Sequence, residues 1–411
     1  MLLRAQNTPT IFSEYKDTPR LTTFYLKFSL FLEVNEEVNM KENYDVAAFI
    51  WPAYTGDEPR TRIFWCEGYG EWQTVKNAKQ NSADKPEGYV WDRKPLWGYL
   101  NEADPAVMEM QINEAYKHGV NVFIYDWYWY DDRPFLENCL NDGYLKAKNN
   151  NLVKFYLMWA NHHANHMWSV DLSSEIENEI IWRGDITFDI FKKIVKRWIK
   201  KYFSHPSYYK IDGKPLFSFY LLRPLLVSFG GSDGARAALE YFRDEVKKAG
   251  FPGLHLQAIY NAFEGFDYDG SLGGPSGDLF TLLGFDSITH YNMGTRADRN
   301  CDYTEMIKYH KKEYDRMDSL GALYFPQVSL GWDNNPRYKK FRPEIMRNNT
   351  PENIKIALQQ AKDYVDTHNL PVPLVLINSW NEWTETSYLQ PDNLYGYGYL
   401  EAVREVFKKN S

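Results

Sequence analysis

The sequence has 411 residues, 44% of them hydrophobic and 17% aromatic, which is enough for a large core in one big domain or two ordinary ones and excludes a disordered chain. The formal net charge of -8 and pI of about 5.7 provide no basic surface for a nucleic-acid backbone or an anionic membrane, so neither is expected as a partner. Three distant cysteines, Cys66, Cys139 and Cys301, form no CxxC pair and indicate small buried thiols rather than disulfides or a thiolate zinc site.

Residues 1–39 are predicted to be an N-terminal extension, because strongly patterned sequence begins only after Met40; the alternative is a strap packed on the domain. Residues 40–411 are then one catalytic domain. The apolar patch that begins at Leu21 follows charged residues and lacks an A-x-A cleavage pattern, so it is not recognised as a signal peptide. No run reaches the roughly 18 apolar residues of a membrane span. We therefore expect a cytoplasmic protein without a membrane span, or a periplasmic or secreted one if the N-terminus is misassigned.

Short runs of strand-forming residues alternate with amphipathic helical stretches from Asp45 onward. The helices are predicted at residues 103–119, 186–203, 235–250 and 351–369, with Pro105 near the start of the first and Gly119 and Gly250 ending the first and third. The strands are predicted at residues 45–54, 120–130, 151–161, 214–222, 254–263, 285–293, 322–333 and 373–380. Strands without apolar and polar alternation, each joined by a helix, indicate a parallel sheet covered by helices. About eight such units predict an α/β fold of the TIM-barrel, (β/α)8, type with long loops.

The segment "DGSLGGPSGDLF", residues 269–280, is rich in glycine but lacks the GK[ST] of a phosphate-binding loop. Its turn-forming composition favours a flexible loop over a phosphate site.

Aromatic and hydrogen-bonding residues close nearly every predicted strand. In a barrel of this kind the active site forms at the carboxyl ends of the strands. Aromatic rings suit the C–H faces of a sugar, and carboxylates and amides suit its hydroxyls, so the expected partner is an oligo- or polysaccharide substrate. The residues in question are Trp51, Tyr54, Asp126, Trp127, Tyr128, Trp159, Asn161, His162, Tyr220, Tyr260, Asn261, His290, Tyr291, Asn292, Gln327, Trp332, Asp333 and those at 378–385, including Asn381 and Trp383.

Two carboxylates, Glu382 and Glu385, follow the last predicted strand in "INSWNEWTE". A pair of carboxyl groups flanking one bond is the minimum equipment for glycosidic cleavage, and a spacing of three residues places both on one side if the segment turns helically. We predict them as the catalytic pair; the alternative is a pair of solvated surface charges.

Other residues allow more than one interpretation. His162 and His166 are one helical turn apart, with His163 between them, but no H-E-x-x-H motif accompanies them, so hydrogen bonding to sugar or a structural role is favoured over a metal. Asp126 is predicted either to orient substrate or to cap a loop. Tyr260 and Tyr291 suit either the core or the site. No metal and no cofactor are expected.

The motif "SWNEWTE" resembles the N-E-W-x-E segment of glycoside hydrolase family 99, the endo-α-mannosidases and α-mannanases, and of the related WbsX-type family of bacterial polysaccharide loci. Further matches, in order, are "GYGEWQTVKNAK" with Glu71 and Trp72, "DPAVMEMQINEAYKHGVNVFIYDWYW", "YLMWAN", "YYKIDGKPLFSFY" and "YLQPDNLYGYGYLEAV". The resemblance spans residues 45–405 and adds Glu71 and Trp72 to the expected substrate-binding residues. Thr384 stands where the mannosidase motif usually has His.

The resemblance implies a (β/α)8 barrel that hydrolyses a glycosidic bond with retention of configuration. The residue matching Glu382 takes a proton from the substrate's own 2-hydroxyl, which attacks the anomeric carbon to give a 1,2-anhydro sugar. The residue matching Glu385 protonates the leaving oxygen and then activates water. An α-mannoside-like or bacterial polysaccharide linkage is expected, cleaved in an endo fashion. The alternatives are a WbsX-type glycosyltransferase of polysaccharide biosynthesis and a carbohydrate-binding barrel without catalysis.

Overall fold

The apolar runs of the sequence form one parallel sheet in the computed structural model, which describes residues 43–56, 58–81, 84–171, 180–260, 276–293 and 298–408. Within these residues the sheet has eight parallel strands in its main path. They are β1 (Asp45–Ile50), β2 (Val122–Tyr130), β3 (Lys154–Trp159), β4 (Lys214–Phe219), β5 (His255–Ile259), β6 (Ser287–Thr289), β7 (Gln327–Ser329) and β8 (Leu374–Asn378).

Each strand pairs with its neighbours in the order of a barrel. The first strand lies between the second and the last, with Ala47 opposite both Val122 and Leu376. The sheet runs β6-β5-β4-β3-β2-β1-β8-β7, and a parallel bridge between Ile288 and Tyr324 joins its two ends. The prediction of a TIM barrel is therefore confirmed.

Helices cover the outer face of the barrel. They are α1 (Trp72–Asn81), α2 (Pro105–Lys117), α3 (Phe188–Trp198), α4 (Arg223–Phe229), α5 (Ser232–Lys248), α6 (Ser276–Leu283), α7 (Tyr303–Ser319), α8 (Pro351–Thr367) and α9 (Gly398–Phe407). The connection from β2 to β3 instead uses the π turn Cys139–Gly143 and the 3-10 turn Tyr144–Lys146. Asp104 caps α2 through the backbone N–H of Ala106, with Pro105 at the first helical position as predicted.

Short antiparallel strand pairs and single turns lie outside the main strands of the barrel. Two-stranded antiparallel pairs join β2 to Arg133–Phe135, Lys210–Ile211 to β4, Ala164–Asn165 to Ile180–Trp182, and Asn381–Glu382 to Ser387–Tyr388. The remaining turns are Pro59–Ile63, His166–Trp168, Ile199–Phe203, Asn335–Arg337 and Trp383–Glu385.

Alternation along the strands decides which residues reach the barrel interior. On β2, Trp127 packs against Trp198 of α3 with ring centroids 5.0 Å apart, whereas Asp126 bonds to Tyr291 across the barrel. Successive side chains of a strand point to opposite faces. Residues 124, 126 and 128 therefore face inward and residues 123, 125 and 127 face the helices.

Some predicted segments differ from the structure. The glycine-rich segment was predicted as a loop to residue 280, but its part from Ser276 onward begins α6, because Phe280 and Leu283 are buried on one face of a helix. Residues 269–275, Asn261 and the predicted extension at 1–39 lie outside the described residues. Cys139 is buried, but Cys66 is exposed. In the described residues, none of the helices has the length and apolar character needed to cross a membrane.

Candidate active site

The end of β8 is fixed to the end of β1 by a buried asparagine. The Asn381 side chain accepts from the backbone N–H of Trp51 at 2.8 Å and donates to the Trp51 carbonyl at 2.9 Å. The backbone N–H of Glu382 donates to the Ser379 hydroxyl at 2.9 Å, and a 3-10 turn follows at Trp383–Glu385. The predicted helical turn between the two glutamates is thus present, and it brings both carboxyl groups to the same side.

Glu71 reaches the same place from the loop after β1. Its backbone N–H donates to the Ala53 carbonyl at 2.9 Å, and the preceding Gly70 adopts φ +58°. A Cβ at Gly70 would lie 1.9 Å from the Ala53 oxygen, so the close approach requires glycine. The Glu71 carboxylate accepts hydrogen bonds from the Trp51 indole and, at 3.0 Å, from the Thr384 hydroxyl.

Arg337 joins three glutamates, and we call Glu71, Glu382, Glu385 and Arg337 the carboxylate cluster. The Arg337 Nε donates to Glu71 Oε1 at 2.8 Å, and one terminal nitrogen donates to Glu71 Oε2 and Glu382 Oε2, each at 3.2 Å. The other terminal nitrogen donates to Glu385 Oε1 at 2.8 Å. One guanidinium therefore holds the two predicted catalytic carboxyls next to each other.

The electrostatics of the cluster favour retention of a proton. Burial, together with the neighbouring charge of Glu385, raises the pKa of Glu382 well above its ordinary value. Burial also raises the pKa of Glu385, although Arg337 opposes this. The Glu385 side chain is 15% exposed, against 5% for Glu382 and 0% for Glu71, so it is the one most open to a ligand. The raised pKa values of Glu382 and Glu385 therefore favour a proton on this pair.

Aromatic rings and a further acid form the wall beside Glu382. The Tyr291 hydroxyl lies 3.1 Å from Asp126 Oδ2 and 3.3 Å from Glu382 Oε1. Tyr220 packs against Tyr291 at 5.3 Å and against His162 at 5.7 Å. Each of these side chains was predicted from its strand end, and the structure brings them together.

Other predicted binding residues lie away from the carboxylate cluster. Trp127 and Trp159 both pack against Trp198 of α3, in the layer between barrel and helices. His290 bonds to Glu313 of α7, and Tyr260 accepts from Arg316 of the same helix. Strand alternation turns these four side chains outward, so the structure supports a packing role for Trp127, Trp159, Tyr260 and His290 rather than the predicted contact with substrate.

Residues from the loops support the cluster from behind. Tyr54 packs on Trp72 at 4.2 Å, and its hydroxyl accepts from the Trp383 backbone N–H at 3.2 Å. Trp383 is fully buried and stacks on Tyr388 at 3.9 Å. Tyr54, Trp72 and Trp383 were predicted to bind substrate, but the structure places them in the packing beneath Glu382 and Glu385.

The remaining predicted residues have separate positions. Asn161 bonds to both backbone groups of Leu221, at 2.7 and 2.8 Å, and so links the ends of two strands. Trp332 carries the guanidinium of Arg299 over its ring at 3.8 Å. The His162 Nδ1 is 2.8 Å from the His163 carbonyl, and burial lowers the pKa of His162. Among the described residues no group of three or more His, Cys, Asp or Glu is arranged to hold a metal ion.

Three functional candidates were missed by the sequence analysis. Arg299 and Arg337 lie in loops, six and four residues beyond the predicted strands 285–293 and 322–333, and both contribute to the electrostatics of Glu385. The third, Glu102, is a buried acid that accepts from Asn381 at 2.9 Å and from Gln390 and Gln111 at 3.0 and 3.1 Å. A periodicity analysis has no signal for these contacts.

The acid Glu102 is expected to make stability depend on pH. Burial raises its pKa from 4.5 to about 7, so the folded protein binds a proton that the unfolded chain releases. Its contribution to the free energy of unfolding is therefore intact below pH 4.5 and decreases by about 3 kcal/mol as the pH rises to about 7 and beyond. Urea unfolding of the native protein and of Glu102→Gln across this range measures the difference, since the other titrating groups are common to both. Parallel curves would contradict the assignment.

Comparison with known proteins gives a family and a fold. Residues 46–403 match the family described as "Glycosyltransferase WbsX". Proteins described as "Uncharacterized protein WxcX" from two strains of Xanthomonas campestris pv. campestris are each 24% identical over 366 residues, covering 85% of this chain and 48% of the relative. The chain thus spans about half the length of the curated relatives it matches.

Solved structures share the barrel at low sequence identity. A glycoside hydrolase-like protein is 15% identical with a TM-score of 0.56, covering 90% of this chain and 96% of the other. The GH99 endo-alpha-mannosidase from Bacteroides thetaiotaomicron in complex with BIS-TRIS-propane is also 15% identical, with a TM-score of 0.54 and coverage of 88% and 95%. At this identity the likeness concerns the fold alone.

Proposed function

The chain belongs to the WbsX family, and on that premise we propose that it is a retaining, endo-acting glycoside hydrolase of α-mannoside-like or bacterial polysaccharide linkages. The single observation that carries the proposal is the placement of Glu382 and Glu385 at the carboxyl end of the last barrel strand, both bonded to Arg337. Active sites of this fold form at that end.

The residue types suit the two steps of the reaction. In the first step Glu382 takes the proton of the substrate 2-hydroxyl, O2 forms a bond to the anomeric carbon, the glycosidic bond breaks, and Glu385 gives its proton to the leaving oxygen. In the second step Glu385 takes a proton from water, the water oxygen bonds to the anomeric carbon, the bond to O2 breaks, and Glu382 returns its proton to O2. All atoms and protons balance, and both carboxyl groups end as they began.

The two acids must differ in protonation when substrate binds. Glu385 has to carry the proton, and Glu382 has to be ionised. The position of Glu385, which is the more exposed of the two, suits an acid that faces the bridging oxygen. Glu382, bonded by Arg337 and faced by Tyr291, has donors that stabilise its anion.

The first experiment is a mass-spectrometric screen of the purified protein against α-mannans and bacterial polysaccharides in heavy-oxygen water, without nucleotide sugars. Shortened oligosaccharides with one heavy oxygen at the new reducing end are expected from the native protein and not from Glu385→Gln. An NMR time course of the anomeric signal tests retention of configuration.

The second candidate function is the glycosyltransferase that the family description names. If no polysaccharide is cleaved but an added sugar donor lengthens a glycan, the transferase replaces the hydrolase and the roles given to Glu382 and Glu385 are withdrawn.

A further inference from the structure

A single phenolic hydroxyl faces two acids in the wall of the site. Tyr291 is held by its ring, which packs on Phe49 at 4.7 Å and on Tyr220 at 5.3 Å. Its hydroxyl is 3.1 Å from Asp126 Oδ2 and 3.3 Å from Glu382 Oε1. A phenol has one proton to donate, so it cannot satisfy two ionised carboxylates at once. Both contacts are hydrogen bonds at once if one of the two acids is protonated and donates to the phenol oxygen.

The surroundings of the two acids decide which one holds the proton. Glu382 accepts from the Arg337 guanidinium at 3.2 Å, which favours its anion. Asp126 is 4% exposed, and its Oδ1 has no hydrogen-bond partner in the described part of the chain. No ion pair of the described residues joins Asp126 to a cation. An ionised carboxylate in such a place is costly, whereas a protonated one leaves only a carbonyl oxygen without a partner.

Asp126 does not have the contacts of a capping residue. It lies within the continuous strand β2, and its hydrogen bond runs to the Tyr291 hydroxyl rather than to a backbone N–H. The capping role that the sequence left open is therefore not the one the structure supports.

We infer that Asp126 carries a proton in the resting protein and donates it to the Tyr291 oxygen, so that the Tyr291 hydroxyl donates to Glu382 and keeps that carboxylate ionised. Asp126 is then a positioning residue, because it acts on Glu382 through Tyr291. Its importance for the reaction rests on the proposed function, in which Glu382 accepts the proton of the 2-hydroxyl. The protonation of Asp126 itself is a property of the protein without substrate.

The electrostatics of Asp126 and Tyr291 agree with a protonated Asp126 and a neutral phenol. Burial raises the pKa of Asp126 well above its ordinary value; a hydrogen bond donated by Tyr291 to the Asp126 anion would oppose this, and the charge of Glu385 adds to it. Burial and the nearby acids also raise the pKa of Tyr291, so the phenol keeps its proton. Other titratable and charged groups face the side chains of Asp126, Tyr291 and Glu382 from the surrounding elements. They are Tyr128, His162, Tyr220, Arg299, Arg337, Glu71 and Glu385.

Infrared spectroscopy of protein labelled with carbon-13 in the aspartate carboxyl groups tests the inference without substrate. A protonated-acid carbonyl band is expected at pH 7 and should be lost in Asp126→Asn. Asp333→Asn is the matched control, because Asp333 is also a buried acid with a raised pKa but lies outside the Tyr291 contact. If Asp126→Asn leaves every protonated-acid band in place, Asp126 is ionised and the inference is overturned.

Kinetics supply the second readout. The amide of Asp126→Asn can still donate to Tyr291, so this variant is expected to retain more activity than Asp126→Leu. Asp126→Leu and Tyr291→Phe should each lower kcat by about 10- to 100-fold, and in Tyr291→Phe the acid limb of the pH profile should move to higher pH because Glu382 loses a donor to its anion. Equal losses in the Asn and Leu variants would overturn the inference, as would a Tyr291→Phe profile like that of the native protein.

The two readouts separate this inference from the proposed function. If no glycan is cleaved but the infrared band is lost in Asp126→Asn, the protonation of Asp126 is supported and the proposed hydrolase function is rejected. If cleavage is found and the band is unaffected by Asp126→Asn, the proposed hydrolase function is supported and the inferred role of Asp126 is rejected.

Discussion

Arg337→Met is expected to unfold with a free energy about 3–5 kcal/mol smaller than that of the native protein at pH 7. The native guanidinium is 8% exposed and bonds to Glu71, Glu382 and Glu385. Removing one partner of a buried ion pair leaves the other charge uncompensated, and here three acids lose the same cation. Urea unfolding monitored by tryptophan fluorescence measures the loss.

The pH dependence of this loss identifies its origin. At acid pH Glu382 and Glu385, whose pKa values are raised by burial, take up protons and need the cation less, so the difference between variant and native protein should shrink as the pH falls toward 4. Arg236→Met, in which a half-exposed arginine of α5 is replaced by the same side chain, is the control and should cost less than 1 kcal/mol. A loss for Arg337→Met no larger than for the control would contradict the role of Arg337.

Glu382→Gln and Glu385→Gln are each expected to lower kcat on a natural polysaccharide by about 10²- to 10⁴-fold, the range for a missing general acid or base. The two variants should differ on an aryl glycoside whose leaving group needs no proton. Glu385→Gln should recover much of the rate of the first step on that substrate, because the acid is no longer required. Glu382→Gln should remain slow on both substrates, because the 2-hydroxyl still has to lose its proton.

Burst kinetics of phenol release with the aryl glycoside, beside glycan binding by calorimetry, separate these outcomes. Binding should persist in both variants, since the amides retain the shape of the acids. If the aryl glycoside restores the rate of Glu382→Gln rather than that of Glu385→Gln, the two roles are exchanged. If it restores neither rate, Glu385 is not the general acid.

The barrel could be predicted because its strands are buried on both faces. Continuous apolar runs such as "PLVLIN" have few interpretations besides a strand in a parallel sheet, and the spacing between them leaves room for one covering helix each. The prediction was incomplete where a helix has a weak pattern. Helix α7 carries many charged residues among its buried ones, and helix α1 begins directly after a functional loop.

The site was predicted less well than the fold, because a strand end does not show which way its side chains point. Once Asp126 faces the barrel, Trp127 must face the helices, and the same rule separates Tyr291 from His290. That rule was available in the sequence, so Trp127 and His290 had a signal that points to packing. Arg337 had no such signal, because the glutamates it bonds to lie 45 to 266 positions away from it in the sequence.

The family expected from the resemblance is confirmed by the match over residues 46–403, and the WbsX branch is the one that matches. The resemblance supplied what periodicity could not, since it singled out Glu71 before any contact was known. The structure then gave Glu71 a definite place, as the acid that binds two nitrogens of Arg337.

The contacts of Asn381 with Trp51 join positions 330 residues apart, and those of Thr384 with Glu71 join positions 313 apart. A ribosome therefore completes seven of the eight strands before Glu382 and Glu385 exist, and a nascent chain at that stage carries Arg337 and Glu71 without these two acids. Contacts of such long range form late and slowly in folding. The last strand thus closes the barrel and supplies Glu382 and Glu385 in one event, so an unfinished barrel would lack the proposed catalytic pair.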